Sequence, residues 1–187
     1  MKDFKPALTL VLVVAICAGL VSFVHIITRE PIAAQQIRMR NAARVALLPE
    51  ADDFSEISGL TIPEGVEINN VYTALSDGEI IAYVGEIIMR GYEGPMNIMV
   101  SMSETGEVLG VRILSHTETP GLGALAARDI FTNQFRGFGP FSVSRQNSGN
   151  GEILAITGAT ITTQAVTDAV NTFIYHLTQH LNYVILK

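Results

Sequence analysis

Three hydrophobic patterns follow one another along the chain. From Ala7 to Ile27, 21 residues run apolar, with no charged side chain unless His25 is protonated. As an α-helix this run would rise about 30 Å, the thickness of a bilayer's hydrocarbon core. Arg29 and Glu30 separate it from Ala33-Ala34, the small pair that could end a cleaved secretory signal, so a retained anchor is expected. From Pro31 to Leu48 the pattern becomes a helical stripe of Ala34, Ile37, Val45 and Leu48, with Arg38, Arg40 and Arg44 elsewhere on the surface. Pro31 suits a first-turn position, which predicts a connector helix leaving the membrane. Pro49 to Gly65, rich in Gly, Pro, Ser and Asp, reads as loop.

Strand patterns follow. Val66–Leu75 and Glu79–Met89 flank the turn Ser76-Asp77-Gly78, and Pro95–Ser103 and Glu107–Ser115 flank Glu104-Thr105-Gly106. In the third strand Met96, Ile98, Val100 and Met102 share one face. Two hairpins imply a largely antiparallel sheet. A short helix is predicted at Ala124–Phe131 and a short strand at Ile153–Ile156. Ile161–Tyr183 is the clearest helix, with Ala165, Val166, Ala169, Val170, Phe173, Ile174, Leu177 and Leu181 in helical period. The fold class is therefore α+β: an N-terminal transmembrane helix, then one domain with an antiparallel sheet and a long C-terminal helix. The expected divisions are a tail and anchor over 1–30, a juxtamembrane connector over 31–65, and the domain proper over 66–187.

Composition narrows the function classes. From Glu50 to Glu107 there are twelve acidic residues and one basic residue, Arg90, so no basic stripe exists to bind nucleic acid. The acids read as a solvated face or as a docking face for a basic partner. The only cysteine, Cys17, lies in the apolar run, which rules out an internal disulfide. Lys2 and Lys5 precede the apolar run and Arg29, Arg38, Arg40 and Arg44 follow it, so charge alone leaves the orientation open.

Three short motifs carry candidate chemistry. Thr157-Gly158-Ala159-Thr160 joins the last short strand to the terminal helix. A helix start offers unpaired N–H groups and the positive end of the backbone dipole, which suit a phosphate. Gly158 and Ala159 let a bulky group approach, and Thr160 presents a hydroxyl beside it; alternatively Thr160 is simply the helix N-cap. In His116-Thr117-Glu118-Thr119-Pro120-Gly121-Leu122-Gly123, Pro120-Gly121 forces a turn, and Gly121 and Gly123 let the chain pass flat against a planar ligand. Thr117 and Thr119 could bond a ring edge; His116 with Glu118 would make only a weak metal site, and none is expected. Gly91-Tyr92-Glu93-Gly94-Pro95 is an inter-strand loop that could set Tyr92 and Gly94 at a cofactor rim. Phe131-Thr132-Asn133-Gln134-Phe135 reads as core aromatics.

Taken in order, the anchor, GYEGP, HTETPGLG, FTNQF and TGATIT resemble the G subunit of the Rnf complex, the ion-translocating ferredoxin:NAD+ oxidoreductase, over nearly the whole chain. They are similar also to the C subunit of the sodium-pumping NADH:quinone reductase, which shares the FMN-binding domain. The resemblance implies an electron-relay subunit with no catalytic residue of its own. It implies FMN joined through its phosphate to the last threonine of the motif, Thr160, by a separate flavin transferase acting on FAD. The remaining cofactor contacts would come from Thr157, Gly158, Ala159, His116, Glu118, Thr119, Pro120, Gly121, Leu122, Gly123, Tyr92 and Gly94. It implies other membrane subunits of the complex as partners, a cytoplasmic N-terminus, and the domain on the outer face of the cell membrane. Leu154 stands where the transferase's target pattern has an aspartate, and the nearest acid is Glu152. Two other readings are a membrane-tethered binding or assembly protein without redox role, and a stand-alone extracytoplasmic flavin reductase.

Overall fold

The computed structural model describes residues 4–57, 67–146, 149 and 151–185. They divide into two compact units, Met1–Asn41 and Ala42–Lys187. The first lies within helix α1 (Phe4–Leu47), which is long and apolar enough to cross a membrane. Its apolar side chains, from Leu8 through Ile27, are exposed around the helix, as a lipid-facing helix requires. The Thr28 hydroxyl donates to the Val24 carbonyl at 2.8 Å, satisfying a polar group within the helix itself. Pro31 lies inside α1 instead of starting a second helix. No glycine or turn pair interrupts Thr28-Arg29-Glu30, and losing one N–H bond at proline is offset by not having to nucleate a new helix.

In the second unit, six strands form an antiparallel sheet in sequential order: β1 (Asp53–Glu56), β2 (Glu67–Ser76), β3 (Glu79–Arg90), β4 (Pro95–Ser103), β5 (Glu107–Ser115) and β6 (Gly137–Phe138). Both expected hairpins form. Asp77 and Gly78 take φ of 51° and 84°, the left-handed pair that matches a two-residue turn to strand twist. β1 emerges from the stretch read as loop; part of that stretch, 58–66, falls outside the described residues. β7 (Ser142–Ser144) and β8 (Glu152–Leu154) make a separate parallel pair. The helix expected over Ala124–Phe131 is broken into a 3-10 turn (Gly123–Ala127), the four-residue helix α2 (Asp129–Thr132) and a second 3-10 turn (Asn133–Phe135). The break falls at Arg128, whose extended backbone interrupts the helical dihedrals.

Helix α3 (Thr160–Ile185) covers one face of the sheet. Val166, Ala169, Val170, Phe173 and Leu177 pack on Ile87, Met96, Ile98, Val100 and Met102, joined by Phe131 and Phe135. Gly85 makes the close approach possible: a Cβ there would stand 2.6 Å from the Phe173 ring. The opposite face is also covered. Ala43 and Leu48, at the end of α1 and just beyond it, pack with Ala74, Ala82, Val84 and Met99. Arg44 lies over the Tyr72 ring at 3.8 Å. With apolar side chains packed on both faces, the sheet is a floor whose loops at one end hold the site.

Candidate cofactor site

A cavity of about 410 Å³ opens at the start of α3. That is within the size range of small-molecule and cofactor sites. Its walls come from three segments far apart in sequence: Tyr92 from the β3–β4 loop; Glu118, Thr119, Leu122 and Gly123 from the segment after β5; and Gly158 to Thr162 from the entry into α3.

The entry is built by its own backbone. Gly158 takes φ of 79°, which reverses the chain between β8 and α3. A Cβ there would also press on Leu122 at 3.2 Å. The Ala159 N–H donates to the Ile156 carbonyl, and the Ala159 carbonyl accepts from Thr163 N–H at 3.0 Å. The Thr163 hydroxyl accepts from Ile156 N–H at 3.1 Å and donates to the Ala159 carbonyl at 3.0 Å. Thr163 therefore braces the turn from within the helix, and Thr160 is the first helical residue, not the cap. The Thr160 side chain is exposed and makes no hydrogen bond among the described residues, while lining the cavity beside the N–H groups of the first turn.

Glu118 ties the three walls together. It is 5% exposed. Its Oε1 accepts the Glu93 N–H at 3.1 Å and its Oε2 accepts the Thr162 hydroxyl at 2.6 Å. Gly91 and Gly123 sit directly against the carboxylate; a Cβ on either would collide with it. The Thr119 hydroxyl donates to the Glu93 carboxylate and draws the loop onto the turn a second time. In that turn Gly121 has φ of 82° and Leu122 N–H donates to the Thr119 carbonyl at 3.1 Å, a type II geometry with Pro120 at its second position.

The structure thus brings Tyr92, Glu118, Thr119, Leu122, Gly123, Gly158, Ala159 and Thr160 together on one cavity. His116, Pro120, Gly121, Gly94 and Thr157 stand outside its lining. Gly94 is buried, its carbonyl accepting the Gly91 N–H at 2.8 Å and closing the loop behind Tyr92. His116 is half-buried with Nδ1 unpartnered among the described residues. Ile161 and Thr162 are additional wall residues that sequence reasoning passed over; the helical stripe marks them only as first-turn neighbours of Thr160. Leu154 is 41% exposed, and its N–H donates to Gln134 Oε1 at 2.7 Å.

The donor set suits a flavin mononucleotide. Tyr92, Leu122 and Ile161 are apolar surface for a planar ring, and the helix start with threonine hydroxyls is polar surface for a phosphate.

Comparison with known proteins agrees with this architecture. Residues 91–174 match the family described as FMN-binding domain, and residues 4–44 match the RnfG N-terminal region. The chain is 35% identical over 162 residues to the G subunit of the proton-translocating ferredoxin:NAD(+) oxidoreductase complex of Clostridium ljungdahlii, covering 85% of this chain and 83% of that one. It is 31% identical over 185 residues to the G subunit of the Na(+)-translocating ferredoxin:NAD(+) oxidoreductase complex of Acetobacterium woodii, covering 90% of this chain and 88% of that one. Among solved structures, Shewanella oneidensis NqrC superposes with a TM-score of 0.54 at 18% identity, over 72% of this chain and 73% of that chain, a likeness of fold. A transmembrane-length helix, a floor of antiparallel strands and a cavity at the head of the last helix thus go with relatedness over most of the sequence, and the chain belongs to the family of G subunits of the ion-translocating ferredoxin:NAD+ oxidoreductase complexes.

Proposed function

We propose that this chain is the electron-relay subunit of a membrane-bound, ion-translocating ferredoxin:NAD+ oxidoreductase, carrying FMN esterified through its phosphate to Thr160. The observation that carries this is the placement of Thr160: an exposed hydroxyl without a hydrogen-bond partner among the described residues, on the first helical position, at the edge of a cavity inside the segment that matches an FMN-binding domain. FMN supplies the redox chemistry, since a flavin takes up and releases electrons one or two at a time. The protein's residues bind and orient. The first-turn N–H groups of α3 would offset the phosphodiester charge, and Tyr92, Leu122 and Ile161, which line the cavity, would offer apolar surface to the ring. Thr160 is a tether and takes no part in electron transfer. A flavin transferase would form the bond from FAD: the Thr160 oxygen attacks the flavin-side phosphorus and AMP departs. As the relay of a redox-driven translocase, the chain needs the other membrane subunits on either side of it in the electron path. Its domain would sit on the outer face of the membrane, with the N-terminus in the cytoplasm and the anchor over 1–30.

The test is mass spectrometry of the protein from its native host. The peptide holding Thr160 is expected to carry one FMN less one water, and the denatured band to fluoresce in a gel. Thr160→Val, folded and assembled, should lose both signals. Flavin retained on that variant after denaturation would place the attachment elsewhere.

A further inference from the structure

Among the described residues lining the cavity, Glu118 is the one carboxylate, and no lysine or arginine lines the wall to offset it. A carboxylate is a costly choice for a brace, because burying its charge away from a cation is unfavourable. An asparagine or glutamine could accept the same Glu93 N–H and meet the same Thr162 hydroxyl. Both hydrogen bonds shown run towards the carboxylate, so its oxygens act as acceptors throughout. Its position is also tightly set. Gly91 and Gly123 leave open the space the carboxylate fills, and the Glu93 N–H and the Thr162 hydroxyl, on a residue 1% exposed, hold its two oxygens. A negative charge fixed in the wall of the cavity acts on whatever changes charge there.

We propose that Glu118 is a positioning residue that also acts electrostatically, its carboxylate disfavouring the addition of electrons to the flavin and so holding the flavin's reduction potential down. This rests on the reading that FMN occupies this cavity. The sign follows from Coulomb's law: each electron taken up without a matching proton leaves the ring more negative, and a fixed negative neighbour makes that addition less favourable. A low potential suits a relay that must pass electrons on instead of trapping them.

The experiment is a spectroelectrochemical redox titration of the full-length, flavin-loaded protein purified with its membrane partners. Four forms are compared: wild type, Glu118→Gln, Glu118→Asp and Thr162→Val. Glu118→Gln keeps the shape and removes the charge, so its midpoint potential rises. Thr162→Val cuts the same tie to α3 but keeps the charge, so its potential stays at or below that of wild type. Equal upward shifts in Glu118→Gln and Thr162→Val would show that loosening, not charge, moves the potential, and would overturn the proposal. So would a loaded Glu118→Gln with an unmoved potential. Should Glu118→Gln not load, Glu118→Asp decides: its shorter side chain draws the charge back, and a rise above both wild type and Thr162→Val supports the proposal, while no such rise overturns it. Failure of both charge variants to load beside a loaded Thr162→Val also overturns it, because the carboxylate would then serve attachment only. A wild-type protein without flavin removes the FMN reading and this proposal together; a flavin-bearing wild type with an unresponsive Glu118 removes this proposal alone.

Discussion

Thr162→Val tests the site's architecture without touching its cavity wall by more than one atom. Valine matches threonine in volume and removes only the hydroxyl that Glu118 Oε2 accepts at 2.6 Å. Both partners are almost fully buried, at 1% and 5% exposure. A hydrogen bond to a charged group contributes about 1.5–3 kcal/mol. Glu118 also lines the cavity, so water can reach the vacated oxygen from one side, and the expected loss is about 2 kcal/mol, in the lower part of that range. A domain of ordinary stability, about 5–15 kcal/mol, remains folded after such a loss. The assay is urea unfolding in micelles followed by tyrosine fluorescence, which is unmasked because the chain has no tryptophan. A cycle with Glu118→Ala isolates the pair, and a coupling of about 1 kcal/mol or more is expected. If the two substitutions add within about 0.5 kcal/mol, the tie across the site does not exist in solution and the account of the cavity wall is wrong.

Gly123→Ala would drive a methyl group into Glu118 and to 2.9 Å from the Thr162 hydroxyl; a loss of about 1–3 kcal/mol in unfolding experiments is expected, together with weaker flavin loading in the gel-fluorescence assay. Phe173→Ala empties the contact between α3 and the sheet from a residue 1% exposed, and should cost about 3–5 kcal/mol in the same urea titration while leaving the residues of the cavity wall in place. Burial, and after it the Glu104 carboxylate, raise the Tyr83 hydroxyl above its ordinary 10.0. The folded chain therefore keeps a proton that the unfolded chain gives up, and stability falls as pH climbs past 10.0 towards the folded-state value. Tyr83→Phe should flatten that alkaline slope in pH-resolved unfolding, and an unchanged slope would assign it to other groups.

What the sequence displayed plainly were the elements with strong local patterns. The hairpins carried both alternation and turn residues, Asp77-Gly78 and Thr105-Gly106, and α3 kept its apolar stripe from Ala165 to Leu181. β1 was missed because Asp53-Phe54-Ser55-Glu56 offers a single apolar side chain; its pairing with β2 supplies what its own sequence does not. β6 and β7 are too short to show a period. The second buried face is masked because Val84 and Met99 share it with Glu86, Asn97 and Ser101, so each strand reads as one-sided until the end of α1 is laid across it. Thr160 was legible as part of a motif between strand and helix. The tie from Glu118 to Thr162 was not, because it spans 44 residues and depends on a turn folding back onto a helix.

The margins of the six-stranded sheet carry a consequence for assembly. One margin is β1, four residues long and bearing exposed Asp53 and Glu56; the other is β6, two residues long and followed closely by Pro140. Short, charged or proline-flanked margins are poor templates for annealing a foreign strand. A protein packed shoulder to shoulder with other polypeptides is thereby steered away from open-ended polymerisation, and its neighbours must recognise it through side chains and loops, not by extending its ladder of backbone bonds.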